Sequence, residues 1–321
     1  MTKHLTFFSL LCVTAAISLL VGSCSQNKSD MKSTVNYLNV SERKVSGRII
    51  LTLGDSNGVM NDGWPMQLEA ELPEDMVLNN SEGGRTIGFD NCGMPEWNAL
   101  KNIKTYLDWG LSLSGNQAID EIVILLGTND SKACFDDQKD EVAPNLIKLI
   151  EKIRDFDNAG HPPPHITIIT PPPYAPDSLT VKEALGGDLR VRLLLPQFRD
   201  VALQYRCAYV NIYPLIKSRF QDVVMDHVHL TLEGHSIVAK AIAEVLNDRE
   251  VPDPPSDAMH NEDTLSWSPS LSDDVIGYEI MDGDRIIETV SGTMIALPHK
   301  VTDLSVRARD EYGNVSIAVK P

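Results

Sequence analysis

Basic charge is what this 321-residue sequence most lacks. Its 28 lysines and arginines face 45 aspartates and glutamates, a net charge of −17 at pH 7 with neutral histidine. That field repels a phosphate backbone and no basic stripe offsets it, so nucleic acid is excluded as a partner. Cysteine is scarce as well. Cys12, Cys24, Cys92, Cys134 and Cys207 fall at irregular spacing with no C-x-x-C pair, which gives no metal-ribbon, dithiol or disulfide-scaffold signature. Cys92, Cys134 and Cys207 are expected to be buried as small apolar residues, with a disulfide between two of them left open in an oxidising compartment. Long apolar runs are limited to the first residues, where Leu5 to Val21 reaches about the short limit for crossing a bilayer.

That run follows Lys3 and His4 and ends in small residues before Cys24, the layout of a secretory signal over 1–23. Its end, "VGSC", resembles the bacterial lipobox, which implies a lipid on Cys24. Several acyl chains, at about 0.8 kcal/mol for each buried CH₂, anchor a protein without a spanning helix. The polar stretch 24–43 then reads as a tether. The expectation is an exported protein, lipid-anchored to a bacterial membrane and facing the periplasm or the cell surface.

From residue 44 to 249 short β-rich runs alternate with helix-length segments. "RIILTL", "DMVLNN", "EIVILL", "HITIIT" and "AYVNIY" are five strand candidates, and the alternation predicts a parallel sheet covered on both faces. Leu146, Leu149, Ile150 and Ile153 share one helical face, with Gly160 as a stop; Thr231 is a fair N-cap for a last helix carrying Ile237, Ala241 and Val245. Pro196 is awkward for a single helix and is expected to mark a start or a kink. Residues 250–263 have a proline-rich, acidic linker composition. From 264 to 321, strand-like pieces separated by turn residues, with "DGD" as a hairpin signal, predict a small all-β sandwich.

Reacting groups in an open α/β sheet gather beyond the carboxyl ends of the strands. "GDSN" after the first strand candidate offers Ser56; "SEGGRT" after the second offers Gly84; "GTND" after the third offers Asn129; "MDHVHLT" before the last helix offers Asp226 and His229. A serine needs a base to take its proton, and the base needs an orienting group. His229 and Asp226 supply those types. The N–H groups of Ser56 and Gly84 and the Asn129 amide are the types that hold an oxyanion. Each residue has a plainer reading too: Ser56 in a turn, Gly83 or Gly84 shaping one, Asn129 capping a helix. Asp226, His227, His229 and His235 allow a metal reading, but no further ligand cluster supports it. Asp55 reads as a structural hydrogen-bonding residue; His161, His165, His260 and His299 as surface or loop positions.

Together the blocks resemble those of the SGNH (GDSL-type) hydrolases, in family order over about 200 residues. The resemblance implies an α/β fold with a doubly wound, flavodoxin-like, five-stranded parallel sheet. It also implies ester hydrolysis by Ser56, His229 and Asp226, an oxyanion hole of Ser56, Gly84 and Asn129, and no metal or other cofactor. "GW" at Gly63, "GRT" and "TPPPYAP" are similar to the arylesterase and acetylesterase branches. Trp64 and Tyr174 either line the acyl or alcohol pocket or pack at a loop. Asn57 stands where the family name has leucine. The tail resembles a fibronectin type III module with Trp267 as its core tryptophan and Leu304 where tyrosine is usual. The expected activity is removal of a short acyl group, acetyl from a carbohydrate. The rivals are a lysophospholipase or thioesterase-type hydrolase and a non-catalytic carbohydrate-binding lipoprotein.

Overall fold

Strand β1 (Ile49–Gly54) is buried along its whole length, because its alternating side chains serve two cores. Ile49, Leu51 and Leu53 join one and Ile50 the other, as a two-residue period requires. The computed structural model describes residues 47–248, 251–261, 263–297 and 301–321. The expected signal peptide, the Cys24 lipidation site, the tether and His299 lie outside the described residues.

Beside β1 run β2 (Met76–Ser81), β3 (Glu121–Leu125), β4 (His165–Ile169) and β5 (Ala208–Val210), all parallel, in the order β2-β1-β3-β4-β5. This is the doubly wound arrangement. Of the helices, α1 (Ser56–Val59) and α2 (Trp64–Glu71) precede β2, α3 (Ala99–Leu113) precedes β3 and α4 (Val142–Arg154) precedes β4. Then come α5 (Gly187–Gln204), α6 (Tyr213–Lys217), α7 (Phe220–Val223) and α8 (Leu232–Asn247). Ile103 and Leu107 of α3, Leu146, Leu149, Ile150 and Ile153 of α4, and Leu194 and Phe198 of α5 pack with Ile122, Ile124 and Ile168 on one face. Trp64 and Leu68 of α2 and Val238 and Ile242 of α8 pack with Val123 and Leu125 on the other. The chain order reverses between β1 and β3, which opens a crevice at their carboxyl ends.

Three local expectations change. Helix α4 stops at Arg154, and Gly160, at φ +77°, serves the later turn closed by His161 N–H on Asn158 O. Pro196 lies inside one continuous helix, α5, not at its start. Among the described residues Cys207 is buried, Cys92 and Cys134 are exposed, and the three form no disulfide with one another. Thiols on polar surface turns cannot reach either core.

The C-terminal strands make two antiparallel sheets. One has β6 (Ser256–Asn261), β7 (Thr264–Ser268) and β10 (Met294–Ala296); the other has β8 (Val275–Asp282), β9 (Arg285–Val290) and β11 (Leu304–Asp310). Strand β6 occupies part of the stretch expected as linker and pairs with β7. Gly283, at φ +60°, turns β8 into β9 as "DGD" predicts. Trp267 packs edge-on to Tyr278 at 5.2 Å, and Leu304 is buried with them. Glu279, fully buried, meets Arg307 at 2.6 Å and Arg309 at 3.3 Å. At the end of the parallel sheet, the Tyr209 N–H of β5 donates to Glu311 O at 2.7 Å.

Candidate active site

Ser56 is placed by the residue before it. Asp55, buried at 0% exposure, leaves β1 in an extended conformation and caps α1, its Oδ1 accepting the Asn57 N–H at 2.9 Å. Burial drives the Asp55 carboxyl above its ordinary value, against the pull of the Asn57 N–H and the Thr128 hydroxyl. Ser56 thereby becomes the first residue of a helix, where N–H groups have no partner within the helix. The turn is tight: a Cβ on Gly58 would collide with Ser81 Oγ.

His229 arrives on a short hairpin. Val224 bridges Leu230, and the Met225 N–H donates to His229 O at 2.8 Å. Inside it, Asp226 Oδ1 accepts the N–H groups of Val228 (2.8 Å) and His229 (2.9 Å), while Oδ2 meets His229 Nδ1 at 2.7 Å. Burial works against the ionised Asp226, but the His229 and Val228 contacts outweigh it and hold the carboxyl at about 2. An ionised carboxylate only accepts, so Nδ1 carries the proton and the Nε2 lone pair faces outward. Nε2 lies 3.0 Å from Ser56 Oγ. The hairpin is held from three sides: Leu230 N–H on Asn57 Oδ1 (2.9 Å), Ala175 N–H on His227 O (2.8 Å) and Gln67 Nε2 on Leu232 O (3.1 Å).

Gly84 has φ +82°, and a Cβ there would press on the Trp97 ring at 3.0 Å, whereas one on Gly83 would meet open space. The conformation demands glycine at 84. Asn129 begins the 3₁₀ turn Asn129–Ser131 after β3, and its Nδ2 donates to Arg85 O at 3.0 Å, which joins the loop after β3 to the one carrying Gly84. Arg85, 4% exposed, sends Nη1 to the carbonyls of Gly54 (3.3 Å) and Asn80, gathering the ends of β1 and β2; its guanidinium lies 4.3 Å over Tyr106. Asp130 accepts the Ile87 N–H with both oxygens at 3.0 Å, and burial pushes its carboxyl up to about 7. The five residues thus hang on neighbouring loops at one end of the sheet.

The family model described as GDSL-like Lipase/Acylhydrolase matches residues 51–237, more than half of the chain. The chain belongs to that family. Solved structures of similar fold include the carbohydrate acetylesterase Est24 of Sinorhizobium meliloti (21% identity, TM-score 0.50) and the native aryl esterase of M. smegmatis (21%, TM-score 0.52). Each covers 62% of this chain and is itself covered over 97%. A carbohydrate acetylesterase family member from Sinorhizobium meliloti gives 22% identity, a TM-score of 0.51 and the same coverage. No curated protein matches the sequence.

In this GDSL-like hydrolase, a carboxylic ester hydrolase by family, the other expected residues fall as follows. Trp64 (0% exposed) and Tyr174 (1%) are buried: Trp64 joins the core shared by α2 and α8 with its ring beside Gly54 and Gly58, and Tyr174 donates to Thr128 O at 2.8 Å with its ring against His227. Aromatic side chains in a loop serve a core as readily as a pocket. His235 is buried on α8, and no group of three metal-ligating side chains occurs among the described residues. His161, His165 and His260 are exposed. Arg85 and Trp97 went unread in the sequence. Trp97 is half-buried beside Gly84, its carbonyl held by the Thr86 N–H at 2.8 Å. The "GRT" run pointed at this loop but not at which residues fill it.

Proposed function

We propose that the protein is a serine esterase that removes a short acyl group, acetyl, from a carbohydrate through an acyl-enzyme on Ser56. The observation that carries this is the Ser56 Oγ–His229 Nε2–Nδ1–Asp226 Oδ2 chain, at 3.0 and 2.7 Å. His229 Nε2 takes the hydroxyl proton as Oγ bonds to the ester carbonyl carbon. The N–H groups of Ser56 and Gly84 and the Asn129 amide receive the oxyanion. Its collapse breaks the bond to the alcohol oxygen, which leaves with the proton from His229. Water then attacks the acyl-enzyme by the same route and releases the acid and free Ser56. Asp226 fixes the tautomer and stabilises the imidazolium. A carbohydrate alcohol is supported by likeness to acetylesterase structures.

Export with a lipid on Cys24 and a fibronectin type III-like role for the C-terminal module belong to the same proposal, supported by the signal-like start and the two-sheet tail. The test is turnover of p-nitrophenyl acetate, followed by acetate release across acetylated glycans. Ser56→Ala and His229→Ala are each expected to lower kcat by about 10⁴-fold or more, and retained turnover in either refutes the assignment. Asp226, held at about 2, stays ionised from pH 4 to 8, so no change in kcat/KM over that range comes from the orienting carboxylate. A flat profile from pH 5 to 8 counts against His229 as base.

A further inference from the structure

The residue after the nucleophile is where this chain departs from its family's name. Asn57 is fully buried in α1, and its Oδ1 accepts the Leu230 N–H at 2.9 Å across 173 residues. Leu230 follows His229 as Asn57 follows Ser56. The Asn57–Leu230 hydrogen bond therefore runs beside the Ser56–His229 contact and joins the same two segments.

We infer that Asn57 is a positioning residue that fixes the reach of His229 on Ser56 by holding the returning arm of the hairpin against α1. The inference rests on the esterase reading above and deepens it. Asp226 cannot set that distance, because it rides on the same hairpin as the imidazole it orients. Ala175 and Gln67 reach the hairpin from the loop after β4 and from α2, not from the helix that carries Ser56. The Ser56–His229 contact is itself remade in every turnover. The bond from Asn57 joins α1 to the hairpin without taking part in the chemistry. Leucine at this position has the same number of side-chain heavy atoms as asparagine, though its methyl groups are bulkier, and leaves the Leu230 N–H without its acceptor. Val224, Val228 and Leu230 bury the hairpin's apolar side chains, whereas Met225 is largely exposed and His229 half-buried, so the backbone bond to Asn57 acts beside the catalytic ring where packing is thinnest.

Three variants test this against the wild type: Asn57→Leu, which removes the acceptor, Asn57→Ala, which removes it without added bulk, and Asn57→Asp, which keeps an oxygen in place. Asn57→Leu is expected to lower kcat on p-nitrophenyl acetate by about 10- to 100-fold, since small displacements of a reacting group cost this much. KM should stay within about twofold and Asn57→Asp should recover most of kcat, as loss of a transition-state interaction requires. If Asn57→Leu does not fold by circular dichroism, Asn57→Ala carries the same expectation. Labelling of Ser56 by a fluorophosphonate should slow in parallel; this readout needs no ester turnover, so it separates failure of this inference from failure of the esterase reading. Wild-type kcat in the acceptor-less variants, or equal losses in Asn57→Leu and Asn57→Asp, overturns the inference.

Discussion

Glu279 in the C-terminal module and Asp226 at the site each meet a nitrogen partner at 2.6 to 2.7 Å, yet one is sealed and the other open. Glu279 has no exposed side-chain surface and lies between two arginines; Asp226 is 45% exposed and faces a histidine. The first, set between arginines of the neighbouring strand, ties β8 to β11. The open pair can pass a proton on, because imidazole changes charge in the pH range where arginine cannot.

Substitutions that divide stability from turnover sharpen this contrast. Glu279→Ala strands the buried Arg309 and the half-buried Arg307 and should lower unfolding free energy by about 3–5 kcal/mol in denaturant titration. Turnover per folded molecule should be unchanged; a matching fall in kcat would tie the module to the site. Asn129→Ala should do the reverse, lowering kcat by about 100-fold, the cost of one oxyanion donor, with a far smaller shift in the denaturation midpoint. Equal effects on both quantities would make Asn129 only the loop tie seen in its bond to Arg85.

The smallest effect concerns acid. Burial, with His229 adding to it and Asp62 opposing, holds His235 at about 4, below the ordinary 6.5. The unfolded chain therefore takes up a proton first, and this residue's contribution to stability falls as pH drops from 6.5 towards 4. The stability of the wild type relative to His235→Phe should fall over that window, read by denaturation at a series of pH values. A constant difference would remove His235 from the account. Asp226 acts lower, its share being lost only between about 4 and 2.

The sheet, its strand order and the neighbouring placement of Ser56, Gly84, Asn129, Asp226 and His229 were legible in the sequence. Each of these residues sits just beyond an apolar run or before a helix, and strand ends are marked by local composition. What was hidden depended on distant partners. The Asn57 bond to Leu230 crosses 173 residues, and no local pattern records it. Arg85 reads as an ordinary loop cation until its burial over Tyr106 is seen. Trp64 and Tyr174 were ambiguous because aromaticity is common to cores and pockets. Pro196 left a start and a kink open because a proline's backbone penalty is local, whereas the packing of Leu194 and Phe198, which carries the helix past it, is tertiary.

The bond from Tyr209 to Glu311 has a consequence for any shortened form of the chain. Strand β5 is three residues long and forms one flank of the parallel sheet, and an uncovered flank is a template for another molecule. A chain ended at residue 248 keeps all five candidate residues but bares the donor on Tyr209. The tail thus supplies the backbone acceptor that meets the Tyr209 N–H on that flank, a covering service it performs whether or not it ever meets a ligand.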